Sequence, residues 1–142
     1  MKIKPKVSVL VSTYKSERFI EGCLQSIASQ TLCQRGFVEI IIIDANSPEN
    51  ERMVAEEFAE RFPQIPLIYH RTTERIGLYA AWNLAIRMAS GQYITNANTD
   101  DRHAPGCFER IATSLPHQTS LGVNSFPPQD AKTSMYTLPS MR

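Results

Sequence analysis

The sequence has no apolar run approaching the ~20 residues a membrane-spanning helix requires, so no transmembrane segment is expected. It also has no charge of one sign in excess: 15 Lys and Arg against 14 Asp and Glu leave a net charge of +1. So neutral a chain has no long-range field to gather nucleic acid or an anionic bilayer. An anionic ligand must then be held by local groups or by a metal. Cysteine is scarce and odd in number. Cys23, Cys33 and Cys107 lack metal-ligand spacing, and the expectation is reduced thiols in the cytosol. The basic start, Met1 to Lys6, leads only into a short strand-like apolar run, and no signal peptide is expected there. A cytoplasmic location is expected, at most peripheral to the inner membrane face.

Several signatures are missing as well. No G-x-G-x-x-G follows the first strand, which weighs against a dinucleotide-dependent dehydrogenase. No G-x-x-x-x-G-K-[ST] phosphate loop and no G-x-S-x-G nucleophile elbow occur, and there are no internal repeats.

What is present is a globular composition, 42% hydrophobic and 20% charged over 142 residues, enough for one domain with a real core. Val7 to Val11 is β-branched and apolar and predicts a buried strand, followed by a polar turn at Ser12 to Lys15. Ser16 suits a helix N-cap with Glu17 in the first turn, and Ile20, Leu24 and Ile27 repeat at helical spacing towards Gln30. Val38 to Ile43 is a second strand, and its unbroken Ile run predicts cover on both faces. Asp44 to Asn46 close it. Ser47, Pro48 and Glu49 read as a helix start, Val54, Phe58 and Phe62 as its inner face, and Pro63 as its end. Leu67 to His70 is a third strand. Gly77 opens a helix with the stripe Ala81, Leu84, Ala85 and Met88, ending at Ser90 and Gly91. A fourth strand, Gln92 to Thr95, runs into Asn96 to Asp101, and a short helix follows from about Pro105 to Ser114.

Strands and helices thus alternate. The fold class is α/β: a parallel sheet with right-handed crossovers and helices on both faces. Ligands in such sheets bind beyond the carboxyl ends of the strands. Polar groups gather there: Thr13 and Tyr14 after the first strand, Asp44 after the second, Asp100 and Asp101 after the fourth. Adjacent carboxylates at a strand end repel one another unless a cation sits with them. Hard oxygen ligands suit Mg²⁺ or Mn²⁺ completed by substrate phosphate. Asp44 can accept hydrogen bonds from a base or ribose, or cap the turn that follows it. Thr13 and Tyr14 offer amides, a hydroxyl and an aromatic face. Arg71 and Arg75 are placed either to meet phosphate or to form a solvated basic loop. Trp82 reads as core, and His103 stands near the acidic pair without the spacing of a metal site or triad.

Lys6 to Tyr14, Phe19 and Ile20, Ser26 to Thr31, Glu39 to Asp44, Gly77 to Asn83, Gly91 to Ile94 and Asn98 to Asp101, in this order and spacing, resemble the family 2 glycosyltransferases of the Rossmann-like GT-A fold. The resemblance covers about residues 5 to 112. It implies a nucleotide-diphosphate-sugar donor, usually a UDP-sugar, bound with Mn²⁺ or Mg²⁺, and transfer to a saccharide or lipid-linked acceptor in cell-surface polysaccharide or glycan synthesis. It further implies that Thr13 and Tyr14 lie against the base with Glu17 nearby, that Asp44 contacts base or ribose, that Arg75 and Asn98 join the donor site, and that Asp100 and Asp101 hold the metal. The chain departs from the family pattern in two motifs. Ala45 stands where a second acid is usual, and Asn98 replaces the first acid of Asp-x-Asp.

The tail from Thr113 to Arg142 is poor in charge and interrupted by Pro116, Pro127, Pro128 and Pro139. The expected division is therefore a nucleotide-sugar-binding half-domain at 1–112 and an irregular or disordered tail at 113–142. The family's acceptor-binding half, with its catalytic base, is expected to be missing from a truncated chain. The alternative function is a non-catalytic nucleotide-binding or interaction module. A sugar-phosphate nucleotidyltransferase would need a Gly-rich basic loop after the first strand, and Ser12 to Glu17 is not one.

Overall fold

The computed structural model describes residues 7–100, 102–114 and 133–134. The elements are β1 (Val7–Thr13), α1 (Glu17–Ala28), α2 (Thr31–Gln34), β2 (Val38–Asp44), α3 (Glu51–Arg61), β3 (Leu67–Arg71), α4 (Leu78–Met88), β4 (Tyr93–Asn98), α5 (Cys107–Ser114) and β5 (Thr133–Ser134). The strands are all parallel, in the order β3-β2-β1-β4-β5. The alternating order and the parallel sheet expected from the sequence are both borne out.

Strand alternation sorts the core into two layers. Val7, Val9, Val11, Ile40 and Ile42 face α1, α2, α3 and α5, where Ile20, Leu24, Ile27, Phe58 and Phe108 complete one cluster. Leu10, Ile41, Ile43 and Ile94 face the other way and pack on Ala81 and Ala85 of α4. Every residue of β2 is buried, because this strand lies between two others and is covered on both faces. Each such Ile contributes roughly 1.5–3 kcal/mol by leaving water. Trp82 is half-buried against the α4-side cluster and meets Tyr79 edge-on at 5.6 Å.

One helix start and one cap bond differ from the expectation. Ser47 does not cap a helix. Its N–H donates to Asp44 Oδ1 and its hydroxyl to Glu51 Oε1, a turn that delays α3 until Glu51. Ser16 stands at the N-cap of α1, yet its hydroxyl donates to the Tyr14 carbonyl. Within the tail expected at 113–142, Thr113 and Ser114 end α5 and Thr133–Ser134 pair with Tyr93 and Ile94 of β4; the rest lies outside the described residues. Cys23 and Cys33 are buried free thiols, and burial pushes the Cys33 thiol up to about 12, so it stays protonated.

At the amino end of the sheet, buried Glu39 accepts from Ser8 Oγ at 2.6 Å and from the N–H and hydroxyl of Ser90. Gly91 N–H donates back to Ser8 Oγ at 2.8 Å. A Cβ on Gly91 would stand 2.9 Å from Ser8 N and 3.0 Å from the Val7 carbonyl carbon, which are backbone atoms that cannot swing aside. We therefore expect Gly91→Ala to cost about 1–3 kcal/mol, read as a lowered urea midpoint at unchanged m-value. An unchanged midpoint would contradict this packing.

Candidate functional site

The carboxyl ends of β1, β2, β3 and β4 come together in register: Thr13 beside Asp44, Asp44 beside Arg71, and Ser12 beside Asn98. Alternation then decides which side chains face which layer. Thr13 and Asp44 turn towards α3. Ser12 and Asn98, one residue out of phase, turn towards α4.

On the α3 side lies a buried polar network. Glu51, fully buried in the first turn of α3, accepts from Thr13 Oγ1 at 3.0 Å, Ser47 Oγ at 2.9 Å and the Ser16 N–H at 3.4 Å. Asp44, also fully buried, accepts from Ser47 N–H at 2.7 Å, the Tyr69 hydroxyl at 2.7 Å and Arg71 Nη1 at 2.8 Å. Of the two roles open to Asp44 from sequence, turn capping is the one its contacts display. Arg71 also donates to the Ser47 carbonyl and to Asn46 Oδ1, so it binds the loop and is not a free solvated cation. Burial, then the hydrogen bond to Asp44, raises the Tyr69 hydroxyl well above its ordinary value. Glu17 lies outside the cleft. Its carboxylate accepts the Asn50 N–H, and its own N–H donates to Glu49. Glu51 escaped the sequence reading. Its one signal was an acid four residues after Ser47.

On the α4 side an open cleft of about 560 Å³ is lined by Ser12, Tyr14 and Ser16 from the β1–α1 loop, by Ala45, and by Arg75 to Leu78 leading into α4. Next to the lining residues Tyr14 and Ala45, Lys15 adopts φ +52 and Asn46 φ +64. Left-handed backbone is uncommon outside glycine and is kept only where surroundings enforce it. Here the Lys15 N–H is tied to Ser47 Oγ at 2.9 Å. The Arg75 guanidinium stacks over the Tyr14 ring, 4.1 Å from its centroid. The cleft thus has a cationic, aromatic wall.

At the end of β4, Asn98 and Asp100 are exposed, whereas Thr99 between them is buried. The following loop is anchored from beneath. Buried Gln30 donates to the His103 and Ala104 carbonyls and accepts the Phe108 N–H, and Ser26 Oγ accepts the His103 N–H at 2.7 Å. The His103 ring packs on Phe108 with centroids 5.0 Å apart. Asp100 forms no hydrogen bond or ion pair with other described residues. Among the described residues no cluster of three or more His, Cys, Asp or Glu could hold a metal. Asp101, the other expected ligand, lies outside the described residues. The exposed Asp100 carboxylate is a hard oxygen donor that fits Mg²⁺ or Mn²⁺, of which Mg²⁺ is usually held by one or two carboxylates with water and substrate phosphate. The structure therefore brings Tyr14 and Arg75 together, and sets Asn98 beside Ser12 of the cleft wall. It spends Thr13, Glu17 and Asp44 on the scaffold.

Comparison with known proteins gives concordant results. The sequence model described as glycosyl transferase family 2 matches residues 8–134. The chain is 35% identical over 107 residues to an uncharacterized glycosyltransferase, EpsJ, of Bacillus subtilis, covering 75% of this chain and 29% of that protein. It is 31% identical over 96 residues to a poly(ribitol-phosphate) beta-glucosyltransferase of Bacillus spizizenii, covering 68% of this chain and 15% of that protein. Among solved structures, a mannosyltransferase of Pyrobaculum calidifontis in complex with GDP-Man and Mn²⁺ superposes with a TM-score of 0.71 at 26% identity, over 85% of this chain and 34% of that one. S. aureus TarS in complex with UDP superposes with a TM-score of 0.71 at 23% identity, over 80% and 33%, a likeness of fold. The chain spans between 15% and 34% of the length of these relatives.

Proposed function

The chain belongs to glycosyl transferase family 2, and from that premise we propose that it forms the donor-binding part of a glycosyltransferase, holding a nucleoside-diphosphate sugar with a divalent cation in the cleft at the ends of β1 and β4. The observation that carries this reading is the cleft itself. Its wall is the Tyr14–Arg75 stack, and Ser12 of the same wall is paired in register with Asn98, two residues before the exposed Asp100.

The base lies against the Tyr14 ring, where stacking tolerates any base. Arg75, on an exposed segment leading into α4, exchanges its stack for the diphosphate as the base enters. Asn98 supplies an amide to the ribose, and Asp100, with Asp101, holds Mn²⁺ or Mg²⁺. Bound there, the cation would neutralise the charge that develops on the leaving diphosphate. Asp44 and Glu51 act from the α3 side, holding the loops that frame the cleft. The family and the glucosyltransferase relative support an acceptor among cell-surface polysaccharides or glycans, carried as a saccharide or on a lipid. Among the described residues no helix is long and apolar enough to cross a membrane.

Calorimetric titration with UDP-GlcNAc and GDP-mannose, with and without Mn²⁺, tests the reading. Binding that the metal strengthens supports it, and absence of binding in every arm contradicts it. Tyr14→Ala should weaken the bound donor about ten-fold, since base stacking on an aromatic ring contributes roughly 1–3 kcal/mol. Tyr14→Phe should retain most of the affinity. Equal affinities for all three proteins would remove Tyr14 from the site.

A further inference from the structure

Gly22 sits in the middle of α1, where glycine is a poor choice, because it costs conformational entropy that alanine does not. The structure shows what the missing methyl makes room for. A Cβ at position 22 would stand 2.2 Å from Nη2, 2.8 Å from Cζ and 3.0 Å from Nε of Arg102. The guanidinium thus lies against the bare backbone of α1. From there Nη1 donates to the Thr99 carbonyl at 3.0 Å and Nη2 to the Phe19 carbonyl at 3.5 Å. Phe19 belongs to α1 and Thr99 to the turn that carries Asn98 and Asp100. One side chain therefore bridges a rigid helix and the turn after β4, at a place where only glycine admits it.

We infer that Arg102, docked on Gly22, is a positioning residue that holds the Asn98–Asp100 turn in the geometry needed for the metal-bound diphosphate. The inference rests on the donor-binding reading above. Arg102 acts through the Thr99 carbonyl: buried Thr99 fixes the height of the turn, and Arg102 fixes its approach to α1. Partners that orient metal-binding groups typically alter affinity ten- to a hundred-fold when removed.

The obstacle at position 22 is the movable end of a side chain, so Gly22→Ala should fold normally while expelling the guanidinium. Three variants are compared with the wild type: Gly22→Ala, Arg102→Ala and the double. Gly22→Ala should keep or raise Tm, since alanine suits a helix interior better, and should weaken Mn²⁺-dependent UDP-GlcNAc binding about ten-fold. Arg102→Ala should weaken it to a similar degree. The double variant should lose no more than either single, because both remove the same contact. Without ligand, amide exchange at Thr99 and Asp100 should be faster in all three. A Gly22→Ala protein with wild-type affinity and wild-type exchange, or losses that multiply in the double variant, would overturn the inference. Failure of the wild type itself to bind either nucleotide sugar would refute donor binding. The exchange comparison would still decide whether Arg102 restrains the turn.

Discussion

Asp100→Ala is expected to abolish the metal-dependent part of nucleotide-sugar binding while leaving the protein folded. The carboxylate is exposed, ends the turn after β4 and has no other described partner, so its removal breaks no structural contact. What it removes is the hard anionic oxygen that the cation needs between protein and diphosphate. Metal-mediated attraction of several kcal/mol corresponds to a loss on the order of a hundred-fold or more. Asp100→Asn keeps the shape and one oxygen but no charge and should fall between the two. Metal-free binding, resting on Tyr14 and Arg75, should be equal in all three proteins. Titrations in Mn²⁺ and in chelator separate these terms. Wild-type affinity for Asp100→Ala in Mn²⁺ would show that Asp100 is not a ligand.

Asp44→Ala is expected to act the opposite way, on stability first. The carboxylate is fully buried and receives the Ser47 N–H, the Tyr69 hydroxyl and the Arg71 guanidinium. Truncation leaves the Ser47 N–H and the Tyr69 hydroxyl without this acceptor, and a half-exposed cation without its counter-charge. Losing a network of this kind costs about 3 kcal/mol or more, a large part of a small domain's stability. Tyr69→Phe removes one bond of the three and should cost about 1 kcal/mol. The Tyr69 contribution is complete below about pH 10, its unfolded value, and is lost as pH rises towards its raised folded value. Urea denaturation of the two variants reads both costs directly. If Asp44→Ala instead kept wild-type stability and lost donor binding, its carboxylate would belong in the cleft and not in the α3-side network.

The contrast between these two acids shows where the sequence was legible. The Ile run of β2 and the helical stripes identified the sheet, its cover and the edge where ligands gather. They could not tell Asp44 from Asp100 in role, because a strand covered on both faces carries no polar-apolar alternation to reveal its phase. One residue of phase sends Thr13 and Asp44 under α3 and Ser12 and Asn98 towards the cleft. Glu51 was invisible for a related reason. Ser47, Pro48 and Glu49 imitate a helix start, and the Asp44 carboxylate that diverts Ser47 acts only once the turn has formed. Gln30 and the Gly22–Arg102 contact depend on partners more than 70 residues away, and no local pattern announces them. Ser12, Tyr14, Asn98 and Asp100 stand at or just beyond the ends of β1 and β4, which is why topology alone led to them.

Mn²⁺ broadens the NMR signals of amides near it, which gives the most direct test of where donor and metal sit. With UDP-GlcNAc or GDP-mannose present, low Mn²⁺ should broaden the amides of Asn98, Thr99 and Asp100 first and those of Ser12 and Tyr14 next. Glu39 and Gly91, at the far end of the sheet, should stay sharp. Without nucleotide sugar the effect should be weak, because the diphosphate completes the metal site. Broadening centred elsewhere, or none in the presence of either donor, would contradict the assignment of this cleft.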